Sequence, residues 1–168
     1  MEKLNIGCGR DIKKDYINLD VLKLKGVDVV HDLNKFPYPF KDNEFDEIEC
    51  KAVLEHVEDV SKTMNEIYRI LKKGGIVNIE VPHFTSTNMY NDPTHKNFFS
   101  INSFYFFCGK SFYYDFKFKL IKKKLTFGKT FAIWNWLVEP LANLFPSLYE
   151  DTPLRAFPAM NIQVTLEK

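Results

Sequence analysis

The chain has 168 residues, of which 45% are hydrophobic and 27% charged, with a formal net charge of +1. That length suits one domain with a sizeable core and is short for two, so a single domain over residues 1–168 is expected. Near-neutral charge gives no global pull toward nucleic acid or anionic membrane, and three scattered cysteines, Cys8, Cys50 and Cys108, form neither a disulfide framework nor a paired metal-ligand spacing.

In chain order, KLNI, YINLD, VDVVHD, FDEIEC and GIVNIEV read as short β-strands, mostly continuous apolar runs closed by Gly, Asp or a polar cluster, as in a buried sheet. The opening MEKLNIGCGR lacks the apolar run of a secretory signal, and a reducing, cytoplasmic setting fits. Between the fourth and fifth runs, VEDVSKTMNEIYRILKKGG places Val60, Met64, Ile67, Tyr68 and Leu71 at helical spacing, with Gly74 at the expected stop. A strand, a helix and a strand imply a parallel pair joined by a right-handed crossover. The expected fold is therefore α/β: a Rossmann-like, open, mostly parallel twisted sheet with helices on both faces.

The second half is aromatic-rich. FYYDFKFKLIKKKLTF reads as a strand whose FKFKLI alternation suits an antiparallel strand at the sheet edge, and NIQVTLEK reads as a closing strand. TFAIWNWLVEPLANLFPSLY is interrupted by Glu139 and Pro140, too broken to span a bilayer, but suited to a membrane surface or to lining an apolar pocket. Residues 1–82 read as a cofactor-binding half and residues 83–168 as an acceptor-side half.

The stretch LNIGCGRDIKKDYINLD carries the first chemistry. Gly7 and Gly9 after a first strand let a backbone approach a ligand closely, and Asp20 at the end of the next strand can accept from a ribose diol. A dinucleotide fingerprint needs a further glycine where Ile12 stands and an acid roughly 20 residues on, and the phosphate loop of nucleotide triphosphatases is absent. The span from Gly9 to Ile17 is close to the minimum for a parallel crossover, so the first crossover helix is expected to be short or absent. The sheet face it uncovers would need another cover, and the aromatic segment around Trp134 and Trp136 is the candidate.

LNIGCGR, NLD, VDVVHDLNKFPYPFKDNEFDEIECKAVLEHV, RILKKGGIVNIEVPHF and DPTHKNFFSINSFYFF together resemble the ordered motifs of class I S-adenosylmethionine-dependent methyltransferases, most closely the small methyltransferase-11 type. The resemblance implies S-adenosylmethionine as cofactor. It implies that Asn5, Gly7, Cys8 and Gly9 pack against the methionine part and that Asp20 binds the ribose. It places Asp32 and Leu33 beside the adenine, Lys51 and Ala52 near the methionine part, and His56 at the head of the following helix. Two departures stand out: Asn5 occupies a position that is often acidic, and Asp11 one that is often glycine.

Methyl transfer is an in-line displacement, so positioning carries much of the rate and a base serves only an acceptor that must lose a proton. His83, in VPHF, with Asp92 and His95, in NDPTH, are the candidates for orienting or deprotonating that acceptor, Asp92 fixing a tautomer; a plain DPTH turn is the competing reading. These three have no evident further ligand, so no metal is expected. The function read from the sequence is methyl transfer to an oxygen or nitrogen of a small-molecule or lipid/sugar-linked acceptor, by a monomer or homodimer. The alternatives are a non-catalytic methyltransferase-like binding or partner subunit, and an RNA- or DNA-binding protein using Lys117 to Lys124.

Overall fold

The computed structural model describes residues 1–110, 112–128 and 132–168, apart from the side chains of Ala132 and Trp134. Seven strands form one sheet: β1 (Lys3–Ile6), β2 (Ile17–Asp20), β3 (Val29–Val30), β4 (Phe45–Lys51), β5 (Leu71–Pro82), β6 (Lys119–Phe127) and β7 (Ala159–Glu167). Their spatial order is β3-β2-β1-β4-β5-β7-β6. The first five run parallel, and β7 lies antiparallel between β5 and β6. The mostly parallel sheet and the antiparallel edge are as the sequence implies.

Helix α1 (Val60–Ile70) makes the crossover from β4 to β5. Asp59 caps it, accepting from the Lys62 N–H, and Thr63, Met64, Glu66, Ile67 and Ile70 are buried on its inner side. The helix ends at Leu71, whose extended backbone already pairs with Phe45, three residues before the expected stop at Gly74. Beyond β5 come the short α2 (Asn88–Asn91), a 3-10 turn over Ser103–Cys108, then β6, α3 (Ala132–Leu144) and α4 (Pro146–Asp151).

The first crossover has no helix: residues 7–16 run as turns. Asn18 organises them from within β2. Its Oδ1 accepts from Asn5 Nδ2 and the Lys13 N–H, while its Nδ2 donates to the carbonyls of Lys13 and Tyr16. One buried amide thus satisfies backbone groups that a helix would otherwise pair internally.

The two faces of the sheet are unlike in their side chains. β4, β5 and β7 alternate, with Ile48, Cys50, Val77, Ile79, Val81, Ile162, Val164 and Leu166 buried beneath α1 and the aromatic segment. The opposite face is a lattice of polar side chains. Lys3 pairs with Glu47 at 2.8 Å, and Lys13 and Lys51 pair with Glu49 at 3.1 and 3.0 Å. Asn78 donates to Glu49, Thr165 donates to Asn78, and Asn161 and Gln163 both donate to Glu80. FDEIEC and GIVNIEV look continuous because short apolar and acidic residues are interleaved; their true period is two, the mark of a sheet with one apolar and one polar face.

The expected aromatic cover is also elsewhere. α3 packs against β6 at the far edge of the sheet, and Asn143 pairs both the N–H and the C=O of Leu125, acting as a one-residue substitute strand. Trp136 is 78% exposed, and the Trp134 side chain lies outside the described residues. Over β1 and β4 the cover is Tyr16, whose hydroxyl donates to Glu47 while the ammonium groups of Lys3 and Lys13 lie over its ring. The basic run of β6 is divided: Lys123 lies over Tyr105 on the apolar side, whereas Lys124 pairs with Glu139 and Lys119 with Glu167.

Replacing Asn18 by Ala would strand the Lys13 and Tyr16 backbone groups and the Asn5 amide in a site only 3% exposed. The expected loss of stability is roughly 2–4 kcal/mol, measured by urea unfolding; a loss within 0.5 kcal/mol of zero would mean the loop is held by other contacts.

Candidate cofactor site at the switch in strand order

The strand order reverses between β1 and β4, and the chain leaves the carboxyl ends of these two strands in opposite directions. In open α/β sheets a crevice forms at that point. Here it is a cavity of about 350 Å³ lined by Gly7, Asp20, Val21, Asp32, Leu33, Asn34, Ala52, Val53, His56 and Val57. The volume falls in the range of about 300–1,000 Å³ usual for small-molecule sites.

Each wall has a local cause. Gly7 has φ +62°, and a Cβ there would overlap Cγ2 of Val53. Only glycine both turns the chain and leaves that approach open. Ala52, directly after β4, is held at φ +53° while its N–H donates to the Glu80 carbonyl. A non-glycine residue in the left-handed region is strained backbone, here at a cavity wall. Asp20 is fixed by two backbone donors, the N–H of Gly9 to Oδ2 at 2.8 Å and that of Leu22 to Oδ1 at 2.9 Å. Each oxygen keeps a second lone pair.

Asp32, just beyond the neighbouring β3, lines the same cavity. Its Oδ1 accepts from the Asn34 N–H in an Asx turn, and Asn34 Oδ1 accepts from the Glu58 N–H across the cavity mouth. Tyr38, buried to 2% exposure, donates its hydroxyl to the Leu33 carbonyl, and burial pushes that phenol up. Glu66 and Arg69 on α1 bind the Tyr38 backbone and so tie this wall to the helix. Burial alone would raise the Glu66 carboxyl; the bonds from Arg69 and the Tyr38 N–H outweigh it and hold it low.

Comparison with known proteins fits this geometry. Residues 7–79 match the family model described as a methyltransferase domain. An uncharacterized protein of Methanocaldococcus jannaschii is 30% identical over 164 aligned residues, spanning 84% of this chain and 72% of the relative. The chain belongs to the class I S-adenosylmethionine-dependent methyltransferases. Among solved structures, an S-adenosylmethionine-dependent methyltransferase from Archaeoglobus fulgidus aligns over 99% of this chain and 86% of its own, with TM-score 0.64 and 20% identity. One from Mesorhizobium loti aligns over 99% and 90%, with TM-score 0.63 and 12% identity. At these identities the structural likeness is one of fold.

Within this fold the residues expected at the cofactor separate into two groups. Gly7, Asp20, Asp32, Leu33, Ala52 and His56 line the cavity. Asn5, Cys8, Gly9 and Lys51 do not. Asn5 faces the polar side of the sheet and spends its amide on Asp11 and Asn18. Lys51, one residue beyond Cys50, points to the same side and pairs with Glu49. Cys8 is buried and its thiol is pushed up, first by burial and then by the Asp20 charge. Gly9, at φ +50°, acts through its backbone N–H on Asp20.

The acceptor-side candidates separate as well. His83 does not reach the rim: it is wholly buried, its Nδ1 takes the Thr85 N–H and its Nε2 lies 2.9 Å from Glu150 Oε1. Since Glu150 also accepts from the Ile101 N–H, His83 is a tie between β5, the aromatic segment and α4. Asp92 and His95 are together, and His95 stacks edge-on against His56 with ring centroids 4.6 Å apart. Burial, then the neighbouring His95 charge, lowers His56. Glu55 was not singled out from the sequence. It is 1% exposed, neither carboxylate oxygen has a hydrogen-bond partner among the described residues, and burial pushes its carboxyl up to about 7. Only its place beside His56 in LEH could have drawn attention to it.

Gly7→Ala is expected to cost roughly 1–3 kcal/mol, combining left-handed strain with the overlap at Val53. Thermal unfolding of Gly7→Ala with and without Val53→Ala checks the split: relief of part of the loss in the double variant is expected, and full additivity would show that the close approach contributes nothing.

Proposed function

We propose that the cavity binds S-adenosylmethionine and that the protein transfers its methyl group to an oxygen or nitrogen of a small-molecule or lipid/sugar-linked acceptor. The observation that carries this is the pairing of two fixed carboxylates, Asp20 and Asp32, at the ends of neighbouring strands in the lining of one cavity at the switch in strand order. The lining suits the group. Asp20 offers lone pairs to a ribose diol, Asp32 accepts from an exocyclic amine, and Leu33, Val53 and Val57 give a flat base apolar contact. When bound, S-adenosylmethionine supplies a methyl group activated by its sulfonium.

The chain's own residues bind and orient. The 7–9 turn positions the cofactor against β4, and the Asn34–Glu58 bond holds the mouth. His56 and His95 stand where an acceptor approaches, and Asp92 acts on His56 through Thr94. Positioning of this kind is the main device available to an in-line displacement.

α3 supports a lipid-linked acceptor. Ile133 is 82% exposed and Leu144 67%, and a second, almost wholly apolar cavity of about 290 Å³ lies between α3 and α4, lined by Leu141, Phe145, Leu148 and Leu154 among others. No described helix is long and apolar enough to cross a membrane, so such a contact would be peripheral. The same exposed face favours a second reading, a non-catalytic subunit that docks a partner there.

S-adenosylhomocysteine is expected to raise the melting temperature, and Asp20→Ala to abolish the shift while leaving a cooperative transition. No shift at saturating ligand would remove the cofactor assignment. Transfer of a labelled methyl group to fractions of a cell extract then separates the two readings: label in lipid or small metabolite supports the enzyme, and binding without transfer to any fraction supports the subunit.

A further inference from the structure

Three donor atoms, one each from Glu55, His56 and His95, lie within 4.8 Å of one another. They come from two segments that are distant in sequence. The turn after β4 and the DPTH turn are stitched together by backbone: the Glu55 carbonyl accepts from the N–H of Lys96 and of Asn97, and the Asn97 amide donates to the carbonyls of Leu54 and Val57. The side chains therefore meet because the main chain holds them there.

The hydrogen bonds fix how each histidine presents itself. The His95 Nδ1 lies 3.0 Å from the Met89 carbonyl, which can only accept, so Nδ1 carries the proton and Nε2 the lone pair. Thr94 Oγ1 donates to Asp92, and so must accept from His56 Nδ1 at 2.9 Å. His56 then also keeps its lone pair on Nε2. Among the described residues neither Nε2 has a hydrogen-bond partner. A ring N–H given to a carbonyl, and another given through a hydroxyl to a carboxylate, are the supports that orient histidine ligands around a metal. Within 4.8 Å of both histidines is the buried Glu55 carboxylate, unpartnered among the described residues, a group that a fold retains at a cost unless something compensates it.

We propose that Glu55, His56 and His95 form a binding site for one divalent first-row transition cation of the zinc or manganese class. One carboxylate and two imidazoles are the donor set of such ions, whereas calcium and magnesium prefer oxygen alone. Ligand atoms in a tetrahedral set stand about 3.4 Å apart, given bonds of about 2.0–2.1 Å, so side-chain rotations must draw the three inward. Three protein ligands leave coordination positions open. Because His56 also lines the cavity, an oxygen-bearing acceptor held at such a position would stand beside the methyl donor. That last point rests on the methyltransferase reading; the cation site does not.

Cobalt(II) added to protein freed of metal with a chelator is the probe. One equivalent is expected to give visible ligand-field bands without the near-ultraviolet charge-transfer band of cysteine ligation, and calorimetry with zinc(II) and manganese(II) should give the same stoichiometry. Glu55→Gln and His95→Asn should each weaken binding by about tenfold or more, and Asp92→Asn by roughly tenfold through the Thr94 relay. Neither Glu55 nor His95 lines the cofactor cavity. A variant that keeps the S-adenosylhomocysteine melting shift while losing the cation would therefore separate this site from the cofactor site. If Glu55→Gln fails to fold, His95→Asn, on the other segment, carries the test. No binding of any of the three cations at millimolar concentration, or affinities unchanged in the folded variants, would overturn the proposal. Cation binding without any melting shift would support it while removing the methyltransferase reading.

Discussion

Residues 7–16 must carry the chain from the end of β1 to the start of the parallel β2, and that short tether conditions much of the rest. A crossover of this length leaves no room for a packed helix. The connection therefore lies flat, and its backbone groups need partners that no helix provides. Asn18, buried within β2, supplies them from a single side chain, and the turn it holds brings Gly9 to Asp20. The missing helix, the fixed carboxylate and the mouth of the cavity are consequences of one constraint.

The same constraint explains why the sheet has two unlike faces. Without a helix over β1 and β2, apolar side chains on that side would meet water, and the strands instead place Lys, Glu, Asn and Thr there. Such side chains keep themselves satisfied across neighbouring strands. In Glu49 the penalty of burial is outweighed by Lys51 and Lys13, so its carboxyl is held low. Glu55, buried with no cationic partner among the described residues, goes the other way. Two carboxylates six residues apart in the same chain thus have opposite electrostatic environments, one closed by lysines and one open toward two imidazoles.

The candidate site was legible in the sequence where a residue's chemistry follows from its position on a strand end. Gly7, Asp20, Asp32 and Ala52 terminate or follow strands whose carboxyl ends must converge in any open α/β sheet. Asn5 and Lys51 do not line the cavity: a cofactor assignment by motif says nothing of side-chain direction, and in a strand one step changes the face. His83 stands at the end of β5 as the sequence implies, yet α4, which packs over that end, buries it.

The sequence by itself determined the mostly parallel sheet, the crossover helix, the antiparallel edge and the lost first helix, because periodicity, turn residues and loop length are local properties of the chain. It also carried the family, through motifs that keep their order. Only the tertiary structure decided which face is covered, that α3 packs on β6 rather than over β1 and β2, and that Glu55, His56 and His95 share one site. These depend on contacts between segments far apart in sequence, where no local pattern records that the Glu55 carbonyl will hold Lys96 and Asn97.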